Sequence, residues 1–169
     1  MGARPMTVRI APLAAAAPDR VEALLDAAFG ADRRGRTAYR LREGLSPLPA
    51  LSFAAFDDAA LVGVLQSWPV ALDDAPLVLV GPVAVLPDVQ QGGIGRTMMD
   101  ALIAAAGPQP MTMIGDPEYY GRFFGFSADA TGEWALPGPV ERRRLLAKHA
   151  AHLTRTGRLH AFAPETLSA

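Results

Sequence analysis

Three glycines lie within four residues in the segment PDVQQGGIGRTMM, residues 87–99. A strand-like apolar run precedes the segment and a helix-like amphipathic run follows it. This order directs unpaired backbone N–H groups at an anion, because the first turn of a helix has no internal acceptors and its dipole adds positive charge. We therefore expect residues 91–96 to wrap a pyrophosphate. The alternative is that Gly92 and Gly93 only form a tight turn with positive φ.

The two common nucleotide-binding motifs do not fit this turn. Counted from Gly93, the sequence places Met98 where the dinucleotide motif G-x-G-x-x-G needs its third glycine. The phosphate loop of nucleoside triphosphatases needs a Lys-Ser or Lys-Thr pair after its last glycine, and the segment has none. Both nucleotide folds are disfavoured.

Hydrophobic periodicity and turn residues predict the elements that must position the turn. The first half of the chain should contain a strand over 8–13, a helix over 18–29 ended by Gly30, a loop with a short helix over 31–44, a β-hairpin with a tight turn at Asp57-Asp58, and a strand after Asp73 and Asp74. A helix should follow from Ile94, with Met98, Leu102 and Ala105 on one face and Gly107-Pro108 at its end. After it we expect a strand over 111–115, a helix opened by Asp116-Pro117, and further strands and turns, with the Arg-rich part also compatible with a helix. This order predicts a mixed α/β sheet.

Composition limits the classes of function. A length of 169 residues suits one domain, and a net charge of -1 favours neither nucleic acid nor an acidic membrane surface as a partner. The chain has no cysteine, which excludes disulfides, thiolate metal sites and a cysteine nucleophile. Pro12 and Pro18 interrupt the apolar N-terminal stretch, so we expect a cytoplasmic protein without a signal peptide. Lys148 is the only lysine among 16 basic residues, which suggests a GC-rich, bacterial genome.

Three segments resemble the GNAT family of N-acetyltransferases. The run QQGGIG, residues 90–95, matches the family signature Q/R-x-x-G-x-G/A, at which the pyrophosphate of acetyl-CoA binds. VGPVAVLPD resembles the fourth strand of the family, and EYYGRFFGF resembles its tyrosine-bearing helix, which ends in a Gly-Phe pair. The resemblance extends from Val8 to about Phe162. It implies one domain over 1–169 with a core over about 7–162, and a mixed, mostly antiparallel central sheet with splayed strands flanked by helices.

The resemblance also implies the chemistry: the acceptor amine attacks the thioester of acetyl-CoA directly, without a covalent acyl-enzyme or a metal. The Gly81-Pro82 pair interrupts the apolar strand and suggests a bulge, so we assign the backbone of residues 83–85 to the pantetheine arm, with the N–H near Val85 as oxyanion donor. The alternative is that Pro82 only marks an edge strand. The predicted acetyl-CoA contacts are Val83, Ala84, Val85, Gln90, Gln91, Gly92, Gly93, Ile94, Gly95 and Arg96.

A tyrosine of this family usually protonates the departing CoA thiolate. We assign this role to Tyr120 and keep Tyr119 as the second candidate. The segment YGRFFGF has one residue more between tyrosine and Gly-Phe than the common pattern, and one residue rotates a helix by about 100°. The alternative is that these rings only pack at the foot of the helix, as we expect for Phe123, Phe124 and Phe126.

The base that deprotonates the acceptor is less evident. LVLVGPVAV has no ionisable side chain and LVGVLQSWPV offers only Gln66, Ser67 and Trp68, so ordered water and backbone carbonyls are the first hypothesis, with Glu43 and Asp116 as further candidates. His149, His152 and His160 are interpreted as surface or packing groups. Arg33, Arg34 and Arg36 are interpreted as a solvated loop, with the alternative, implied by the resemblance, that their segment borders the acceptor site. The cluster Arg142, Arg143 and Arg144 could meet the ribose phosphate of CoA but is far along the chain from the glycine turn.

Three functions follow for testing. The first is acetyl transfer from acetyl-CoA to a primary amine of a small molecule or peptide. The second is a non-catalytic acyl-CoA-binding or sensing module, which the missing strand carboxylate admits. The third is a dinucleotide-dependent enzyme. The sequence specifies neither the acceptor nor the oligomeric state, for which a homodimer stays open.

Overall fold

A computed structural model describes residues 7–162, without the side chains of residues 90–92. The strands are β1 Val8–Pro12, β2 Phe53–Asp57, β3 Ala60–Leu72, β4 Ala75–Val85, β5 Met111–Ile114, β6 Glu133–Ala135, β7 Leu145–Lys148 and β8 Thr156–Ala161. The α-helices are α1 Pro18–Phe29, α2 Thr37–Arg40, α3 Ile94–Ala106 and α4 Pro117–Phe124. Short 3-10 segments lie at Leu13–Ala15, Arg33–Gly35, Pro49–Leu51, Pro87–Gly92 and Arg142–Arg144.

The strands form a mostly antiparallel sheet in the order β1-β2-β3-β4-β5-β7. The pairs β4–β5 and β6–β8 are parallel, and β8 also pairs with the last residues of β3. Helix α1 packs on one face through Val21, Leu24 and Leu25, which meet Ala54 and Val64 of the sheet. Helices α3 and α4 pack on the other face. The predicted α/β class and mixed, mostly antiparallel sheet are confirmed.

Strand β4 has a bulge in its middle and separates from β5 beyond it. Leu65 of β3 pairs with Val83 and Ser67 pairs with Val80, so that Gly81 and Pro82 together face the single residue Gln66. The registered pairs between β4 and β5 are at Val78 and Leu79, before the bulge. The bulge is therefore confirmed. Strand β4 as a whole lies between β3 and β5 and is no edge strand, although Pro82 lies beyond the residues that are registered with β5. The two strands splay as predicted.

Local signals account for the helix ends. Pro18 is the first residue of α1, and the N–H of Gly30 closes its last turn on the carbonyl of Asp26 at 2.8 Å. The carboxylate of Asp116 accepts a hydrogen bond from the Glu118 N–H at 3.0 Å and caps α4.

Two local predictions need correction. The residues between the paired ends of the first hairpin are Asp58 and Ala59, not Asp57 and Asp58, because Asp57 still pairs with Ala60. The buried face of α3 ends at Ala106 instead of Ala105, because two further residues, Met99 and Ala106, also face the sheet. Within the described residues, none of the helices has the length and apolarity that a membrane span requires.

Candidate active site at the opening between β4 and β5

Backbone N–H groups of β4 point into the opening. The Leu86 N–H donates to the Val62 carbonyl at 2.9 Å, and Gly63 faces Val85 in the register. Residues of an antiparallel pair alternate between hydrogen-bonded and non-hydrogen-bonded positions. Ala84 is therefore directed at β3, and the N–H groups of Val83 and Val85 are directed away from β3, towards β5. Of the three residues predicted to hold the pantetheine arm, Val83 and Val85 thus face the splay, whereas Ala84 faces β3.

The glycine turn lies beside the same part of β4. Gly93 caps α3 with a backbone φ of +73°, which residues other than glycine rarely adopt. Its carbonyl accepts a hydrogen bond from the Thr97 N–H at 3.0 Å. A Cβ placed on Gly95 would lie 3.7 Å from a methyl of Val85 and 4.0 Å from one of Val83. The N-terminus of α3 therefore borders the splay. Of the other residues predicted to contact acetyl-CoA, Ile94 is buried and Arg96 is exposed. For Gln90, Gln91 and Gly92 the structure describes the backbone alone.

A cavity of about 580 Å³ opens at the bulge. Its walls come from the end of α1 and the segment after it, from the bulge, from the start of α4 and from residues 139–144. The polar and aromatic groups on these walls include Arg36, Tyr39, Arg42, Asp116, Tyr120, Glu141 and Arg144, and Val83 lines the cavity beside the bulge. The cavity therefore joins the predicted thioester position to the segment 35–42.

Tyr120 is part of the cavity wall. Burial raises the pKa of Tyr120 to about 12, and the nearby Tyr119 and Asp116 act in the same direction, against Arg144. A Cβ on Gly115 would lie 2.9 Å from two ring carbons of Tyr120, so a glycine is what lets the ring approach β5. Tyr119 does not line this cavity and packs edge-on against Phe124, with ring centroids 5.8 Å apart. The surroundings of the two rings favour Tyr120 over Tyr119.

The candidate bases have unequal positions. Asp116 lines the cavity, but its hydrogen bond with Glu118 keeps the pKa of its carboxyl below the ordinary value. Glu43 is exposed and does not line the cavity. Glu141, which sequence reasoning missed, does line it. No local pattern marks Glu141, because it reaches the site only through the fold of the segment before β7.

The interpretation of Arg33 as part of a solvated loop is wrong. Its side chain is fully buried and donates to Glu22 at 2.8 Å, to Asp26 at 3.0 Å and to the Tyr39 hydroxyl at 2.8 Å. Burial disfavours its charge, but these three hydrogen bonds raise the pKa of Arg33 above its ordinary value. Arg34 is exposed as predicted and shares Glu22. Arg33 therefore ties α1 to the cavity wall at Tyr39.

Arg42 is a further residue that sequence reasoning missed. Its guanidinium carbon lies 3.7 Å from the Tyr39 ring centroid and 4.3 Å from that of Trp68. Its Nη1 donates to the Gln66 side-chain oxygen at 2.9 Å. Burial lowers the pKa of Arg42 to about 10. The sequence did show Gln66 and Trp68 as residues with hydrogen-bonding side chains in the apolar strand β3. It did not show that Arg42 contacts them.

Other predicted polar residues lie in varied surroundings. The Arg96 guanidinium lies 4.3 Å from the Phe123 ring centroid, so it connects α3 to α4. Phe123 is the exposed one of the three phenylalanines, whereas Phe124 and Phe126 are buried as predicted. Of the arginine cluster, Arg144 reaches the cavity. Among the residues that the structure describes, no group of three or more His, Asp or Glu side chains could hold a metal ion.

A sheet that splays next to a bulge, with a glycine-capped helix and a partly buried tyrosine at the opening, is the arrangement that the predicted acetyltransferase class requires. The model of the acetyltransferase (GNAT) family matches residues 19–114. The chain therefore belongs to the GNAT acetyltransferase family. None of the curated proteins matches it significantly.

Solved structures share this fold. A GNAT family N-acetyltransferase of Escherichia coli, YhbS, in complex with CoA, is 22% identical, with 100% of this chain and 96% of that chain covered and a TM-score of 0.69. A GNAT family acetyltransferase of Brucella melitensis, in complex with acetyl-CoA, is 28% identical, with 87% of this chain and 99% of that chain covered and a TM-score of 0.55. Arabidopsis thaliana Naa50, in complex with a bisubstrate analogue, is 15% identical, with 83% and 97% covered and a TM-score of 0.52.

Proposed function

We propose that this protein transfers the acetyl group of acetyl-CoA to a primary amine of a small molecule or peptide. The observation that carries the proposal is the splay between β4 and β5, which opens at the bulge onto the cavity that Tyr120 lines. Two structural neighbours hold CoA or acetyl-CoA, which supports the same donor here.

The donor lies along β4 and the glycine turn in this proposal. The N–H groups of Val83 and Val85 hold the pantetheine arm and, at the thioester, the developing oxyanion, because preorganised donors stabilise charge that forms in the transition state. Residues 90–96 hold the pyrophosphate at the N-terminus of α3. Gly95 keeps this approach open, since the turn lies directly over the side chains of Val83 and Val85.

The reaction needs one bond made and one broken. The amine nitrogen attacks the thioester carbonyl, the C–N bond forms, the C–S bond breaks, and the nitrogen loses a proton while the sulfur leaves as thiolate. The hydroxyl of Tyr120 keeps its proton at neutral pH, because its pKa is about 12. It stabilises the thiolate by donating a hydrogen bond. Complete transfer to a thiol with an ordinary pKa of about 8.5 runs uphill, so solvent supplies the final proton.

The acceptor amine must reach the site without its proton. Strands β3 and β4 carry no carboxylate at the opening, so ordered water and backbone carbonyls take up the proton, with Glu141 at the cavity mouth as its next acceptor. Asp116 serves less well as a base, because its carboxyl already accepts the Glu118 N–H and its pKa is lowered.

Calorimetry with acetyl-CoA and a thiol-release assay over a panel of primary amines test the proposal together. We expect acetyl-CoA binding and amine-dependent release of CoA. Binding without release for every amine would favour the non-catalytic acyl-CoA module. Stabilisation by NAD or NADP, with none by CoA, would instead support the dinucleotide hypothesis.

A further inference from the structure

The half-buried guanidinium of Arg42 lines the cavity and has no carboxylate in salt-bridge contact among the described residues, only a longer-range electrostatic interaction with Glu22. None of the ion pairs among the described residues includes Arg42, although Arg33, a short distance along the chain, has two. The neutral Gln66 oxygen is its hydrogen-bond acceptor. A desolvated cation without a counter-ion is costly in a protein, and a bound anion removes that cost.

The surroundings of Arg42 define the shape of the anion that fits. The guanidinium carbon of Arg42 lies 3.7 Å from the ring centroid of Tyr39 and 4.3 Å from that of Trp68. The N–H donors of a guanidinium lie in its plane, and one of them is taken by Gln66. The remaining in-plane donors match a planar carboxylate, which accepts two parallel hydrogen bonds from arginine.

The wall that holds Arg42 is built from fixed groups. Arg33 donates to the Tyr39 hydroxyl at 2.8 Å and orients that ring. The indole N–H of Trp68 donates to the Gly81 carbonyl at 2.7 Å and fixes the second ring to the bulge. The guanidinium is thereby preorganised, which reduces the entropy lost when a ligand binds.

Arg42 lies close to the predicted reaction centre. Trp68 and Gln66, its two partners on β3, flank the bulge at Gly81 and Pro82. Val83 and Val85, whose N–H groups are assigned to the thioester, follow Gly81 by two and four residues, or about 7 Å and about 13 Å at the rise of a strand. A ligand carboxylate on Arg42 and an amine at a thioester held by Val83 would therefore be separated by only a few bonds.

We propose that the acceptor carries a carboxylate within a few bonds of its amine, as in an amino acid, and that Arg42 binds this carboxylate. The inference rests on the proposed acetyl transfer and identifies the class of acceptor for the same site. Arg42 acts in recognition and takes no part in bond making or breaking.

The test uses two matched pools, the common L-amino acids and the corresponding L-amino acid amides, titrated into the CoA-loaded protein. We expect acids to bind about 10-fold to 100-fold more tightly than amides, which is the usual range for one hydrogen-bonded charge contact. Arg42→Met should abolish the preference. Arg34→Met removes the same charge from an exposed neighbour outside the cavity and should preserve it.

Each outcome decides the proposal. Equal binding of acids and amides, or binding of neither pool, overturns it, and so does tighter binding of phosphoethanolamine than of the acids. If Arg42→Met does not fold, Arg42→Lys keeps the charge without the planar donors and should lower the preference several-fold. Failure of CoA itself to bind would contradict the proposed function and is seen in the loading step, before any acceptor is added.

Discussion

Tyr120 and Tyr119 are neighbours in the sequence and face different surroundings. Tyr120 lines the cavity, whereas Tyr119 packs among the rings of Phe123 and Phe124. The extra residue in YGRFFGF left the assignment open, because one residue of helix changes the direction of a side chain by about 100°. Neither ring could be placed from the sequence, since the space for Tyr120 depends on how the connection at Gly115, between β5 and α4, folds against the ring.

Replacing the Tyr120 hydroxyl should slow turnover without changing the fold. Tyr120→Phe keeps the ring and its packing, so the melting temperature and acetyl-CoA affinity should hardly change. Turnover should fall by roughly 10-fold to 100-fold, because the variant loses one hydrogen bond to the charged thiolate, and such a bond contributes about 1.5–3 kcal/mol. Steady-state kinetics measures the effect, and Tyr119→Phe is the matched control. A loss of turnover in Tyr119→Phe alone would transfer the role to that residue.

The raised pKa of Tyr120 also predicts a change of stability at high pH. The unfolded tyrosine loses its proton near pH 10 and the folded one near pH 12. Between these values the folded state binds more protons, so the free energy of unfolding falls as pH rises, and the contribution is fully present only below pH 10. From pH 9 to 12, the free energy of unfolding should fall less steeply with pH in Tyr120→Phe than in the wild type. The difference between the two slopes should correspond to about one proton, and denaturant unfolding measures both. Identical slopes would contradict the burial of this hydroxyl.

The elements beside the site follow largely from local signals. Pro18, Gly30 and the Asp116-Pro117 pair mark helix ends by capping chemistry, and the alternation of apolar residues marks the β2–β3 hairpin. The Gly81-Pro82 bulge was predictable for the same reason, because it breaks an otherwise regular apolar strand. These parts of the sequence therefore predicted the elements that border the splay, to which the proposed function assigns the donor.

The cavity wall that the proposed function assigns to the acceptor could not be predicted, because distant segments build it. The Thr37 hydroxyl donates to the Pro139 carbonyl at 2.6 Å, and Arg40 donates to the Pro137 carbonyl at 3.2 Å. These partners are about a hundred residues apart in the chain, and no local periodicity encodes such a pairing. The same holds for Arg42, a charged residue in a polar stretch that gave no signal of burial.

The glycine turn offers a direct test of the donor side. Gly95→Glu should lower acetyl-CoA affinity by at least 10-fold, because the added carboxylate would both fill and repel the pyrophosphate position. The fold should persist, since a Cβ at Gly95 meets only ordinary contacts. Gly93 is a poorer test, because its φ of +73° strains any substitution. Ala104→Glu places the same charge on the exposed face of α3 and serves as control in calorimetry. Unchanged affinity in Gly95→Glu would remove the pyrophosphate assignment.

At the scale of the whole molecule, donor and acceptor sides rest on different supports. The turn and β4 are backed by α3, whose buried residues include Ile94 and Met98. The wall with Tyr39 and Arg42 is held to α1 through Arg33, and α1 packs on the opposite face of the sheet. We therefore expect mutations in one support to leave the other side of the site working.

Arg33→Met tests this separation. Methionine fills much of the buried space but loses the hydrogen bonds to Glu22, Asp26 and Tyr39. Both carboxylates are half exposed and can be hydrated, so the loss of stability should stay near the low end for broken charged contacts, roughly 1–3 kcal/mol. Acetyl-CoA affinity should be unchanged, while the KM for the acceptor rises because Tyr39 no longer fixes Arg42. Arg34→Met removes the exposed partner of the same Glu22 and should change stability by no more than about 0.5 kcal/mol.

Acid titration of the same variants adds a second readout. Burial alone would raise the pKa of Glu22, but Arg33 and then Arg34 hold it below the ordinary value of 4.5. A lowered folded pKa stabilises the protein above pH 4.5, and this contribution disappears as pH falls through the folded pKa, because the unfolded state then takes up the proton first. Unfolding of Arg33→Met should therefore depend less on pH below 4.5 than unfolding of the wild type.

A parallel loss of acetyl-CoA affinity in Arg33→Met would show that the two sides of the site share one support, and would contradict the division between α1 and α3.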